Sequence, residues 1–296
     1  DQKFVLQQVV EQAKKEKPDA VVIAGDIYDK AVPSAEAVEV FDQFLEKLTE
    51  AVPDAVIMMI SGNHDSAPRV DCFRKVLSRQ KVYMIGQPPR TEDEYIEKVT
   101  LKDAHGNVNF YLLPFVRPSV VKPVVGTDEN GNNLSYDKTL HRLIEREEIN
   151  SAERNVLVSH QFYLPAGKRA EDIERMDSEM RTVGNIYEVS ADVLEKFDYA
   201  ALGHIHKPMK VGGDRIWYCG TPMQYSVSEA GQKKAILMVE LKEKGTCSVT
   251  PIPLNAPHEV RIIKGELNEV LKQESEDYVS VLLTDRMDLD ICDMQD

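Results

Sequence analysis

Seven polar residues draw notice because of what precedes them. The run Ala-Val-Val-Ile-Ala-Gly at 20–25 ends on Asp26, and Val-Ile-Met-Met-Ile-Ser-Gly at 56–62 ends on Asn63, His64 and Asp65. Asn-Val-Leu-Val-Ser at 155–159 ends on His160. Tyr-Ala-Ala-Leu-Gly at 199–203 ends on His204 and, two residues on, His206. Imidazole nitrogens, a carboxylate and an amide oxygen make a mixed donor set. It is poor in thiolate, which argues against a structural zinc site, and its imidazoles disfavour magnesium, which prefers oxygen ligands. Manganese, iron or zinc suits it better. Asp26, Asn63, His160, His204 and His206 outnumber the protein ligands that one catalytic ion usually takes. They point to a pair of ions about 3.5–4 Å apart, bridged by Asp26. Such a pair clamps a phosphoryl oxygen and turns water into an attacking hydroxide near neutral pH. Taken singly, each residue has a plainer reading: an Asp after Gly caps a turn, and a buried His hydrogen-bonds within a core. Four such strand-end clusters in one chain argue against coincidence.

For these side chains to meet, the apolar runs must be strands that end on a shared rim, since ligands of open α/β sheets bind at the carboxyl ends of strands. Near-continuous apolar runs suit strands buried on both faces. His204 and His206, two apart, point the same way in an extended segment. Gly25, Gly62 and Gly203 stand where the chain must turn sharply and crowding is greatest. The spacing predicts helices over 2–15, 34–50 and 68–79. The second of these starts at a Ser34 cap and carries Ala37, Val38, Phe41, Phe44, Leu45 and Leu48 on one face. Further strands are expected over 109–113, 215–218 and 235–241, and an exposed turn over 128–133. Strand, helix, strand is the signature of a layered α/β domain. Beyond Pro251, Pro253 and Pro257, the segments 258–264, 266–272 and 278–284 read as strand, helix, strand. That is a small second module which stops before it is complete.

Composition narrows the classes. The 296 residues are 42% hydrophobic and 29% charged, which excludes a disordered chain, a collagen-like repeat and a long coiled coil. The longest apolar runs are too short to cross a bilayer, and with no basic-then-apolar leader neither a secretion signal nor a membrane anchor is expected. Cys72, Cys219, Cys247 and Cys292 form no Cys-x-x-Cys pair and read as reduced thiols of a cytoplasmic protein. Lys and Arg number 36 against 50 Asp and Glu, a net charge of -14. This argues against broad electrostatic coating of nucleic acid and leaves metal-assisted phosphate chemistry untouched. There is no Gly-x-x-x-x-Gly-Lys-Ser/Thr loop, so any ATP dependence must come from a partner.

In this order, Gly25-Asp26-Ile27-Tyr28-Asp29, Gly62-Asn63-His64-Asp65, His160 and Gly203-His204-Ile205-His206 resemble the calcineurin-like metallophosphoesterase superfamily. A further group of phrases is similar to the SbcD-type nuclease subunits of bacteria. These are 24–29, 61–66, Leu164-Pro165-Ala166-Gly167, 199–206, Tyr218-Cys219-Gly220-Thr221-Pro222, and Ser226-Val227-Ser228-Glu229-Ala230 with Lys233-Lys234. The resemblance implies a layered β-sandwich flanked by helices over 1–254, followed by a small α/β DNA-capping module over 258–296. It makes Asp26 the bridging ligand, with Asn63, His160 and His204 holding one ion and His206 the other. The expected cofactor is a pair of divalent cations, manganese first. It makes His64 catalytic, contacting the scissile phosphate and protonating or stabilising the leaving oxygen, with Asp65 orienting its imidazole. A fifth ligand or a solvated loop residue is the other reading of His64. The family's D-x-H block, expected on a strand before Gln2, is not found ahead of Gly25-Asp26, so the ion shared with His206 is expected to be held weakly or not at all. Gln161 follows His160 where many relatives carry Gly.

The resemblance also implies partners: DNA, a coiled-coil ATPase of SbcC type bound through sequence beyond Asp296, and a second copy of the chain. Phe41, Phe44 and Phe73, on the helices around 35–48 and 68–79, are candidate dimer contacts, and core packing explains them equally well. Arg69, Arg74, Arg79, Arg117 and Lys122 are candidate phosphate contacts or simply a solvated face. The function so implied is a two-metal nuclease subunit with double-strand exonuclease and single-strand endonuclease action, serving DNA repair, recombination and replication. The alternatives are a phosphoesterase of the same fold acting on nucleotides or phosphoproteins, and a non-catalytic scaffold; the intact visible ligands speak against the last.

Overall fold

The computed structural model describes residues 1–165 and 188–285. Helix α1 (Gln2–Glu16) leads into β1 (Ala20–Ile23), α2 (Ala35–Ala51), β2 (Val56–Ile60), the single-turn helices α3 (Ala67–Val70) and α4 (Arg74–Leu77), and β3 (Val82–Ile85). The three strands form a parallel sheet in sequence order. Then follow β4 (Glu97–Asp103), β5 (Gly106–Leu113), α5 (Pro118–Val125), α6 (Tyr136–Glu145), β6 (Arg154–Ser159), β7 (Phe162–Leu164), β8 (Glu188–Ser190), β9 (Tyr199–Leu202), β10 (Met209–Lys210) and β11 (Ile216–Tyr218). Six of these make a second sheet in the order β10-β11-β9-β6-β5-β4, parallel through β5, β6, β9 and β11, while β7 pairs with β8. An antiparallel hairpin, β12 (Lys234–Leu241) and β13 (Cys247–Leu254), comes next.

Alternation along β2 explains the layering. Val56, Met58 and Ile60 join Val108, Phe110, Leu112, Val156 and Val158 of the second sheet in one cluster. Ile57 and Met59 face the other way, onto Val10, Ala13, Phe44 and Leu48 of α1 and α2. The far face of the second sheet, with Tyr111, Leu113, Leu157 and Leu202, packs on Val121, Leu140, Leu143 and Ile144 of α5 and α6. The result is helix, sheet, sheet, helix, the layered sandwich flanked by helices that was expected. Burial on both faces holds for β2 and β6. It fails for β1, which is half-buried throughout because it is the outer strand of its sheet as described.

Local signals explain most element ends. Ser34 caps α2, its Oγ accepting the Ala37 N–H at 3.1 Å. The single helix expected over 68–79 is instead α3, α4 and a 3-10 turn, Ser78–Gln80. Its break has a visible cause: Phe73 sits at φ +62°, and Asp71 turns its carboxylate back onto the Gly86 amide at 3.2 Å. The hairpin is locked to the second sheet by Arg154, 2% exposed, which donates to Asp103 and to the carbonyls of Gly106, Leu241 and Lys242. The predicted strand, helix, strand at the end of the described residues is β14 (Val260–Gly265), α7 (Leu267–Val270) and β15 (Tyr278–Leu283), the strands pairing in parallel. The rest of that module, like Ala166, Gly167 and Cys292, lies outside the described residues. Among the described residues no helix is long and apolar enough to cross a membrane.

Candidate metal centre and active site

The carboxyl ends of β1 and β2 in one sheet, and of β6 and β9 in the other, come to the same rim. Close backbone approach makes this possible. A Cβ on Gly25, whose φ is +91°, would collide with the His160 ring, and one on Gly203 would run into the Ala24 carbonyl. Asp26 (φ +50°) and His204 (φ +92°) hold left-handed backbone that side-chain-bearing residues rarely adopt. Two such residues among five candidate ligands is strain concentrated where the chemistry would be.

The contacts converge on a few atoms. Asp26 Oδ2 lies 3.1 Å from His160 Nε2, and Oδ1 accepts the His64 main-chain N–H at 3.0 Å. His160 is buried, and its Nδ1 lies 2.6 Å from the Ala24 carbonyl oxygen. A carbonyl only accepts, so the proton sits on Nδ1 and the lone pair of a neutral His160 is on Nε2. Nε2 faces two further electron-pair donors, Asp26 Oδ2 and Asn63 Oδ1, each at 3.1 Å. Asn63 Oδ1 is also 2.9 Å from His204 Nδ1, and the His160 and His204 rings stand edge to face at 5.4 Å. A carboxylate, an amide oxygen and an imidazole lone pair turned on one another are satisfied by a proton or a cation between them. Asn63 Nδ2, buried with no hydrogen-bond partner, leaves the amide oxygen as the working end of that side chain. Asp26, Asn63, His160 and His204 therefore fit a divalent cation. Among the described residues no three His, Cys, Asp or Glu side chains come together as a metal cluster, so the amide of Asn63 is the link on which this site depends.

The electrostatics agree with a shared positive charge. Burial alone would push the Asp26 carboxyl up, but His160 beside it, together with the His64 amide, holds it well below the usual carboxylate range. Burial disfavours a charged His160, but the Asp26 carboxylate, the Ala24 carbonyl and Asp65 together outweigh that and raise its pKa.

Asp65 takes other partners than the His64 imidazole it was expected to orient. Asp65 is buried, and its oxygens accept the main-chain N–H groups of Gly62 (2.8 Å), Tyr28 (2.9 Å) and Ile27 (3.0 Å). It ties the β1 rim loop to the β2 rim loop. The orienting partner of His64 is the Asp29 carbonyl, 3.0 Å from its Nδ1, so Asp65 acts on the loops and Asp29 on the ring. The reason is that three amides already occupy the Asp65 carboxylate. His64 itself is half-buried beside Asp26.

The expected two-ion set is gathered in part. Direct contacts link Asp26, Asn63, His160 and His204, whereas His206 Nδ1 lies 2.9 Å from Glu229 of a later loop. Glu229 is fully buried and also 2.7 Å from Lys234, itself 4% exposed. Burial would raise the Glu229 carboxyl, but His206 and Lys234 hold it down at about 2. Sequence reasoning assigned these two no role. The signal was a lysine opening an otherwise apolar strand, Lys-Ala-Ile-Leu-Met-Val at 234–239.

The other candidates are settled locally. Phe44 is buried between α1 and α2, and Phe41 packs on it and on Tyr28, whereas Phe73 is 74% exposed. Arg74 is engaged by Asp71 and Glu97, and Lys122 by the Gly131 carbonyl, while Arg69, Arg79 and Arg117 are exposed. Gln161 is buried and donates to the Pro114 carbonyl at 2.8 Å, bracing the loop after His160.

A layered α/β sandwich with a His, Asp and Asn rim at its strand ends is the architecture of a metal-dependent phosphate-ester hydrolase. The family model described as calcineurin-like phosphoesterase matches residues 1–208, and the chain belongs to that family. Divalent cations are the family's general cofactor, consistent with the donor set at this rim.

Proposed function

We propose that this chain is a nuclease subunit that hydrolyses DNA phosphodiesters with divalent cations, manganese first, trimming double-strand ends and cutting single strands. In this reading it works in DNA repair, recombination and replication as a homodimer, beside a separate coiled-coil ATPase of SbcC type. The observation that carries the proposal is the meeting of Asp26, Asn63, His160 and His204 at one rim, with His64 next to Asp26. The SbcD-like phrases and the β14-α7-β15 module favour DNA over a small phosphate ester.

Bound cations supply the charge that polarises a phosphoryl group and lowers the pKa of an attacking water. The chain's own residues do the rest. Asp26, Asn63, His160 and His204 hold that charge at the rim. The Asp29 carbonyl fixes the proton of His64 on Nδ1, which leaves Nε2 to meet the scissile phosphate and, when protonated, to give a proton to the leaving oxygen. Asp65 keeps the two rim loops in register.

The test is hydrolysis by the purified chain, with manganese, magnesium or zinc, of end-labelled duplex DNA, circular single-stranded DNA, nucleotides, phosphopeptides and p-nitrophenyl phosphate. Cleavage of both DNA forms, with duplex binding that weakens steeply as salt rises, is the expected result. Turnover of nucleotides or phosphopeptides with DNA untouched, or a flat salt response, overturns the proposal.

A further inference from the structure

His206 is held from two sides by residues that lie beyond position 208, where the family match ends. Its main-chain carbonyl accepts from Lys234 Nζ at 2.9 Å and from the Thr221 N–H at 3.0 Å. Its Nδ1 meets Glu229 Oε1 at 2.9 Å. Glu229 is in turn fixed by Lys234 at 2.7 Å and by Ser226 Oγ at 3.3 Å, and Lys234 Nζ also reaches Thr221 Oγ1 at 2.9 Å. Packing adds a third restraint, because a Cβ on Gly220 would press on Pro208 and on the His206 carbonyl.

A fully buried carboxylate and ammonium are an expensive way to stabilise a fold, since apolar residues of similar volume often do as well. What this pair adds is direction. A carboxylate only accepts, so Nδ1 must be the protonated nitrogen of a neutral His206. We infer that Glu229, held by Lys234, is a positioning residue for His206, fixing its Nδ1–H tautomer so that Nε2 is the nitrogen offered to a cation. The inference rests on reading this rim as a metal-binding phosphoesterase site, and it extends that site to the segment 226–234. A partner that orients a ligating imidazole in this way affects ion affinity about 10–100-fold.

The experiment uses the whole chain, metal-free and labelled with 15N-histidine. Two-bond proton–nitrogen spectra at pH 8 report which ring nitrogen of His206 is protonated, the signal being assigned by its loss in His206→Gln. The expected result is a single tautomer with Nδ1 protonated; an Nε2-protonated or freely exchanging ring overturns the inference. Glu229→Gln presents Nδ1 with an amide able to donate as well as accept. In that variant, shown to be folded by circular dichroism, we expect a mixed or inverted tautomer. An unchanged His206 spectrum in folded Glu229→Gln overturns the positioning role. If Glu229→Gln does not fold, the wild-type spectrum still decides. Failure of the phosphoesterase reading would appear separately, as intact esters in the hydrolysis assay, with the metal-free tautomer still readable.

Discussion

Asp26 and Glu229 are both carboxylates set against an imidazole at one rim, yet their surroundings differ. Asp26 keeps a partly open side chain and faces the lone pair of His160, which also meets the Asn63 oxygen. Glu229 is closed off and already joined to Lys234, with Ser226 and Thr221 around it. One corner gathers electron-pair donors that want a positive charge, and the other contains its own. The difference separates a corner whose donors suit a cation from a corner whose charges are already matched around one ring. A carboxylate beside a histidine does not by itself mark a ligand; what else faces it decides.

The sharpest way to test the receiving corner is to remove the group that stands in it without holding the ion. His64→Ala should lower the hydrolysis rate by about 10²–10⁴-fold, the range of general acid–base contributions, with manganese binding by calorimetry nearly unchanged. Lost binding in proportion to lost rate would make His64 a ligand and merge two roles kept apart here. The holding corner is tested through stability. Lys234→Met leaves Glu229 buried without its ammonium, and breaking such a pair costs about 3–5 kcal/mol, measurable by urea denaturation. A cost below about 1 kcal/mol would mean that Glu229 is not confined as described.

The meeting of Asp26, Asn63, His160 and His204 was readable in the sequence and the contact of His206 with Glu229 and Lys234 was not, for a physical reason. Asp26, Asn63, His160 and His204 each follow an apolar run, because a strand must end before its side chains can meet a ligand, and that order survives in one dimension. The layering was readable too, from the two-faced burial of β2 and β6. Glu229 and Lys234 occupy a loop and a strand start, and their partner His206 lies 23 and 28 residues earlier. Only the fold makes that contact. The break at Phe73 was likewise hidden, since it depends on Asp71 reaching the Gly86 amide. The Asp29 and Ala24 carbonyls, which set the tautomers of His64 and His160, leave no mark in side-chain identity.

Ion-dependent stability compares the corners on one scale. Manganese at one hundred times its dissociation constant should stabilise the wild-type chain by about 2.7 kcal/mol, raising its melting temperature. In Asp26→Asn the amide still accepts from His64 and can donate to His160, so metal-free stability should change little while the gain with manganese disappears. A full manganese response in Asp26→Asn would move the cation away from this carboxylate.

The smallest effect concerns how tightly the holding corner is closed. Cys219 lies between β11 and Gly220-Thr221, with its N–H on the Leu202 carbonyl at 3.0 Å and its thiol toward the Gly220 carbonyl at 3.4 Å. The residue is half-buried, and burial of the thiol pushes its pKa up to about 11. The thiolate is the nucleophile, so at pH 8 only about a thousandth of Cys219 is reactive. Iodoacetamide followed by peptide mapping should therefore modify exposed Cys72 at least about tenfold faster than Cys219, with Cys219 gaining about tenfold per unit as pH rises toward 10. Lys234→Met should speed Cys219 alone, because Thr221, two residues on, shares the Lys234 ammonium with Glu229 and the His206 carbonyl. Equal labelling of Cys72 and Cys219 in the wild-type chain would mean that the segment behind His206 opens freely, and a corner that opens freely cannot hold a ring.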